Sequence, residues 1–199
     1  MRLFGWVSQL FGFFKRPSPQ KPVLGPLAVC RSKEDWDRFT ESKEYNSINS
    51  LDDSILASGQ EINGVRHEDV ERLSFSDNHF DLIISADVFE HIPSPQKGLS
   101  ECARVLKTGG HMLLTIPFYL NREQSICRAR IENGDLVFLL PEEYHGNPMS
   151  EKGSLVFTDF GWDFLTCAKE NGFSESCMEI YHSVEFGHLW PQMIFRFIK

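Results

Sequence analysis

The chain has 199 residues, 41% hydrophobic and 24% charged, enough for one domain with a sizeable core. A formal net charge of -8 and a pI near 5.4 exclude the broadly basic surface of a general nucleic-acid binder, so no nucleic-acid partner is expected. No apolar run approaches the roughly 20 residues of a membrane-spanning helix. The five cysteines (Cys30, Cys102, Cys127, Cys167 and Cys177) form no Cys-x-x-Cys pair and read as free thiols in a reducing, cytoplasmic setting.

Residues 1–16 open the chain with Leu3, Trp6, Val7, Leu10, Phe11 and Phe14 at helical spacing, flanked by Arg2, Lys15 and Arg16. The spacing predicts an amphipathic segment. It either lies on a membrane surface, making the protein peripheral to the membrane, or docks on the domain or a second subunit. Residues 17–26 are Pro-rich and read as a stiff linker, so the domain proper is expected over 27–199. Short polar elements follow: a strand at 26–31, a helix from Ser32 through Trp36 and Phe39, a strand at 45–49, helical turns at 51–58 and a strand at 62–66. The pattern then strengthens. The apolar run 80–85 predicts a strand covered on both faces. Leu99, Cys102, Ala103 and Leu106 form one stripe of a helix over 95–106, with Gly109 and Gly110 supplying a turn before a strand at 111–116. Residues 119–157 are too long for an ordinary connection and predict an excursion over the strand ends. A helix at 159–171 and an antiparallel strand pair near 173–182 and 192–198 complete the chain.

The order of features from Asp69 to Phe118 is specific: an acidic residue, the strand Phe80-Asp81-Leu82-Ile83-Ile84-Ser85, Glu90-His91, a helix, Leu106-Lys107-Thr108-Gly109-Gly110, and a strand ending at Pro117-Phe118. This stretch closely resembles the second half of the nucleotide-binding fold of class I S-adenosyl-L-methionine (SAM)-dependent methyltransferases, in the methyltransferase-11-like group. The resemblance implies an α/β, Rossmann-like fold with a mostly parallel sheet, helices on both faces and an antiparallel C-terminal strand pair. It implies SAM as cofactor. No Gly-x-Gly-x-Gly precedes Asp69, where that family's SAM-cradling loop would lie, which implies an abridged or remodelled N-terminal half.

Ligands of open α/β sheets bind outside the carboxyl ends of the strands. The resemblance makes Asp69 the acceptor of the adenine amino group and Val70 its packing neighbour; the alternative is that Asp69 caps its own turn. Ser85, Ala86 and Asp87 follow the next strand and correspond to backbone lining the SAM pocket. Glu90 and His91 are the candidate catalytic pair, because an imidazole near neutrality can take a proton as the methyl moves; the alternative is that they order the loop. The cluster Asp87-x-x-Glu90-His91 also resembles the metal-binding Glu-x-x-Glu-His of ubiquinone-pathway O-methyltransferases. Three potential ligands in five residues, with no distant partner, are not counted as a metal site. In the excursion, Arg128, Arg130, Tyr144 and His145 are candidate acceptor contacts, or parts of a structural flap.

Two functions follow. One is a SAM-dependent methyltransferase acting on a small-molecule or glycan-like acceptor, with oxygen favoured because Asn/Asp-Pro-Pro-Tyr is absent after strand 80–85. The other is a noncatalytic methyltransferase-like binding or scaffold protein, consistent with the missing glycine loop. The acceptor and the oligomeric state are not legible in the sequence.

Overall fold

The computed structural model describes residues 10–14, 58–62, 65–147, 150–183 and 188–199. The elements expected between 17 and 57 lie outside these residues. Leu10–Phe14 forms β1, Glu61–Ile62 β2 and Val65–Arg66 β3. Phe80–Ala86 forms β4, Pro95–Val105 α1 and Leu106–Thr115 β5. The excursion carries β6 (Ile126–Cys127), β7 (Ala129–Glu132), β8 (Asp135–Phe138), β9 (Tyr144–Asn147), β10 (Ser150–Leu155) and β11 (Thr158–Asp159). Asp163–Glu170 forms α2, and Glu175–Ser183 and His188–Ile198 form β12 and β13.

The main sheet has the order β1-β4-β5-β13-β12. Strands β4 and β5 are parallel and are joined through α1, a Rossmann-like β-α-β unit. β13 runs against both β5 and β12, so β12 points the same way as β4 and β5. β1 pairs antiparallel with β4. The sheet is therefore mixed. Among the described strands its one parallel ladder is β4–β5, fewer than the mostly parallel sheet expected.

Registry fixes the two faces. Ile83 lies opposite Met112, Ser85 opposite Leu114, and Met112 and Leu114 lie opposite Phe197 and Phe195. All six are buried on one face. Both described helices pack there: Phe164 of α2 meets Phe195 and Phe197 at ring separations of 6.0 and 5.7 Å, and α1 contributes Leu99, Cys102 and Ala103 to the same core. The helix expected at 32–39 and, Ser58 apart, the helical turns expected at 51–58 lie outside the described residues, so only this helical face is described. On the other face Leu82, Ile84, Leu113 and Ile194 stay half-exposed.

Several expectations are corrected in detail. Residues 10–14 form a strand, not part of a helix. Gly12 disfavours helix by about 1 kcal/mol, phenylalanines favour a pleated surface, and β4 offers a free edge whose backbone groups need partners. The strand expected at 62–66 divides into the antiparallel pair β2–β3. β5 begins at Leu106, five residues earlier than expected. Gly109 and Gly110 sit in an irregularity of that strand between the pairings Phe80–Leu106 and Leu82–His111. Gly109 has φ 74°, and a Cβ on Gly110 would come 2.8 Å from the Lys107 carbonyl. α2 starts at Asp163 because Thr158–Asp159 is taken up by pairing with β6.

α1 begins where the sequence indicates. Ser94 accepts from the Lys97 amide at 3.4 Å, and Pro95 occupies the first turn, where no amide donor is missed. Arg104 on its last turn bonds Glu101, Asp77 and the carbonyls of Leu73 and Phe75, while Glu101 accepts from the Leu73 amide. The helix thereby holds the loop that carries Asp69 against the sheet.

Candidate functional site

The backbone leaves β4 through a constrained corner. Ser85 is 1% exposed, and its hydroxyl has no hydrogen-bond partner among the described residues. Asp87 adopts a left-handed φ of 51°, which aspartate tolerates better than branched residues. Its amide donates to the Thr115 carbonyl at 3.0 Å and its carboxylate accepts from the Thr115 hydroxyl at 3.1 Å, tying the ends of β4 and β5 together. Burial, reinforced by the Glu90 carboxylate, pushes the Asp87 pKa above the ordinary value.

A 3₁₀ turn, Phe89–His91, follows. Phe89 is fully buried and packs on Phe164. It approaches α1 so closely that a Cβ on Gly98 would meet its ring at 3.1 Å and Ile92 at 2.7 Å. This packing leaves Glu90 fully buried, with neither carboxylate oxygen hydrogen-bonded within the described residues.

The excursion closes over this turn. The Glu90 carbonyl accepts from the Phe157 amide at 2.7 Å. His91 Nδ1 lies 2.7 Å from the Leu155 carbonyl; a carbonyl only accepts, so Nδ1 carries the proton and Nε2 the lone pair in the neutral ring. Nε2 sits 3.6 Å from Glu90 Oε1. Burial lowers the His91 pKa, against the raising influence of Glu90, and so favours that neutral form. His145 of β9 brings Nδ1 to 3.9 Å from the same Glu90 oxygen, and its Nε2 lies 3.5 Å from Glu143. Glu90 raises the His145 pKa despite partial burial. The two imidazoles meet edge to face at 5.3 Å. The hairpin β9–β10 is close at this point: a Cβ on Gly153, whose φ is 83°, would lie 2.1 Å from the His145 carbonyl oxygen. One donor atom each from Glu90, His91 and His145 falls within 4.8 Å of the others, spacing that suits a shared proton or a small cation.

The other expected residues have distinct settings. Asp69 is exposed, and its carboxylate accepts from the Glu71 amide at 2.9 Å, closing its own turn with spare acceptor capacity toward solvent. Val70 is 6% exposed and belongs to the core, beside Leu73. Arg128 is committed to Asp159 at 3.0 Å, Glu143 at 2.9 Å and the Pro141 carbonyl at 3.0 Å, so it fastens the root of the excursion. Arg130 pairs with Glu132 on an exposed hairpin strand. Tyr144 is exposed and donates to Glu142 at 2.7 Å. Sequence reasoning did not single out the Leu155 carbonyl, Thr115 or Asp159. Glu143 directly precedes the candidate contacts Tyr144 and His145 in the sequence, and that adjacency is the signal that could have found it.

The family profile described as a methyltransferase domain matches residues 46–114. The chain is 51% identical over 47 residues to demethylmenaquinone methyltransferase from Bacteroides fragilis, covering 24% of this chain and 19% of that protein. It is 32% identical over 79 residues to ubiquinone biosynthesis O-methyltransferase from Coxiella burnetii, covering 39% of this chain and 32% of that protein. The matches thus span less than a third of the length of these relatives. Among solved structures, a SAM-dependent methyltransferase from Mesorhizobium loti aligns with a TM-score of 0.41 at 15% identity, covering 70% of this chain and 72% of that one. Residues 46–114 thus match the profile of a methyltransferase domain, and most of the motif order from Asp69 to Phe118 falls within that match.

Proposed function

We propose that this protein is a SAM-dependent methyltransferase that methylates a hydroxyl oxygen of a small-molecule or glycan-like acceptor. The observation that carries this reading is the basic cluster just beyond β4: a fully buried Glu90 carboxylate with no hydrogen-bond donor among the described residues, beside a His91 ring that turns its Nε2 lone pair toward it. It lies within the span running from the methyltransferase-type strand β4 to the next strand end. The absence of Asn/Asp-Pro-Pro-Tyr after β4, and the similarity to ubiquinone biosynthesis O-methyltransferase from Coxiella burnetii, favour oxygen over nitrogen.

The donor chemistry of the described residues fits the adenine end of SAM. Asp69 offers an exposed carboxylate with acceptor sites left over after its turn bond, suited to an exocyclic amino donor. The backbone of Ser85, Ala86 and Asp87 lines the approach to the cluster, held by the two Asp87–Thr115 bonds. SAM, when bound, supplies an electrophilic methyl on sulfur. Glu90 and His91 form the basic pair that draws the proton from the acceptor hydroxyl as its oxygen becomes nucleophilic. The excursion, with Tyr144, His145 and Arg130, covers the acceptor, and Arg128 holds that cover at its root. Much of the remaining rate enhancement is positioning.

The test is transfer of a labelled methyl from SAM to a panel of phenols, catechols, sugars and amines. Labelled hydroxyl products are expected, and His91→Ala should lower the rate about 10²–10⁴-fold. Label confined to amines would refute oxygen as the target. Absence of any transfer by protein that binds SAM would favour the alternative, a noncatalytic methyltransferase-like binding protein.

A further inference from the structure

The main sheet ends in a strand whose outer edge is open among the described residues. β12 pairs with β13 and with no other described strand, so a row of its backbone N–H and C=O groups faces away from the sheet. Such edges are commonly blunted by lysine, proline, a bulge or shortness, because they template pairing with another chain. The stretch Glu175–Tyr181 has no lysine and no proline, and it runs in unbroken register along β13. The irregularity of the pair comes after Tyr181.

Pairing sorts the side chains of β12 between two faces. Ser176, Met178 and Ile180 lie opposite Phe197, Phe195 and Met193, on the helical face. Ser176 donates to the Leu165 carbonyl of α2 at 2.6 Å, and Met178 packs on the core. Ile180 follows on the same face and is 66% exposed, the most exposed large hydrophobic residue among those described. Glu175, Cys177, Glu179 and Tyr181 lie on the other face, where Glu179 accepts from Arg196 at 2.6 Å.

We propose that β12 is a homodimer interface: Glu175–Tyr181 pairs antiparallel with the same strand of a second copy, joining two sheets into one. A strand that pairs with its own copy does so about a two-fold axis, and the residue on the axis fixes every other pair. An axis at Cys177 sets Glu175 opposite Glu179, and an axis at Glu179 sets that carboxylate opposite itself. Like charges directly opposite are destabilising. An axis at Ile180 draws the pairing into the irregularity beyond Tyr181. An axis at Met178 avoids each of these faults. It uses the regular stretch in full, sets Glu175 opposite Tyr181 and Cys177 opposite Glu179, and places no carboxylate against another. It also brings Ile180 opposite Ser176 and beside Met178 of the second copy, which covers the exposed side chain. The occupant is a second copy because one self-register satisfies regularity, charge and the exposed isoleucine together. A contact built on one strand pair is at the small end of specific interfaces, at or below about 1,200 Å², so the dimer is concentration-dependent. The inference goes beyond the methyltransferase reading and does not rest on it.

The test is light scattering on the full chain up to millimolar concentration, with hydrogen exchange on the same samples. The mass should rise from one chain toward two, and the amides of residues 175–181 should gain protection in step with it. Ile180→Lys, made at a side chain already exposed in the single chain, should weaken the dimer at least tenfold without lowering the melting temperature. Ile180→Thr serves as a second replacement should the lysine variant fail to melt cooperatively. Ile131→Lys, at an exposed residue of β7, should leave the dimer intact. A chain that stays monomeric throughout, a dimer whose 175–181 amides exchange no slower, or a dimer that survives the Ile180 replacements would each overturn the interface. Loss of the dimer in Ile131→Lys alone would overturn it too, by moving the contact to the excursion.

Discussion

Glu90, His91 and Asp69 carry the account at the scale of single residues, and they were unequally legible. Glu90-His91 stood out because titratable residues just after an apolar strand have few structural uses. Their actual arrangement rests on the Leu155 carbonyl and on His145, both more than 50 residues away in sequence. A backbone carbonyl leaves no trace in side-chain identity, and a histidine in a long excursion gives no hint of which loop it closes on. Asp69 was legible as an acidic residue after a strand, but both of its readings survive folding: it closes its own turn and keeps exposed acceptor capacity. Replacing it separates them. Asp69→Ala should weaken SAM binding by about 1–3 kcal/mol, the cost of leaving a donor unpaired. A variant that loses thermal stability while keeping its affinity for SAM would assign the residue to the turn alone.

At the scale of elements, β4 and α1 are legible to within a residue at each end, because each has a strong period and clear ends; the final antiparallel pair is legible as a pair, with β13 beginning four residues before the expected 192. β5 was read short. The glycines that resemble a turn after α1 are accommodated within the strand, where the chain end bonds back through Gly109 and Gly110 to Lys199. The excursion was recognised only by its length. Its small hairpins depend on tight contacts such as Gly153 against the His145 carbonyl, which periodicity does not encode. α1 has a further task in holding the loop 69–79 through Glu101 and Arg104. Arg104, 2.8 Å away, holds the Glu101 carboxyl below the usual carboxylate range. A depressed carboxyl stabilises the fold above its unfolded pKa, and that contribution disappears as pH falls through the folded value. Wild-type protein should therefore lose stability on acidification below about pH 4.5 more steeply than Glu101→Gln, whose melting temperature should already be lower at pH 7. Parallel pH profiles in the two proteins would show that the pair contributes nothing.

For the whole molecule, the parallel unit and the core were legible because a continuous apolar strand and an amphipathic helix demand each other. The N-terminal contribution was not. Helical spacing over residues 1–16 suggested a separable amphipathic segment, whereas β1 completes one edge of the main sheet by pairing along β4. Deleting residues 1–16 should thus expose the β4 edge and lower the melting temperature, measured by circular dichroism. An unchanged melt, together with loss of sedimentation on anionic vesicles, would return the segment to a membrane-surface role.

The central claim is that this fold holds SAM without a glycine-rich loop before Asp69. Calorimetric titration of the purified chain with SAM and with S-adenosylhomocysteine tests it most directly. The account predicts saturable binding of both at a single site. No detectable heat at millimolar ligand, from protein that still melts cooperatively, would contradict it.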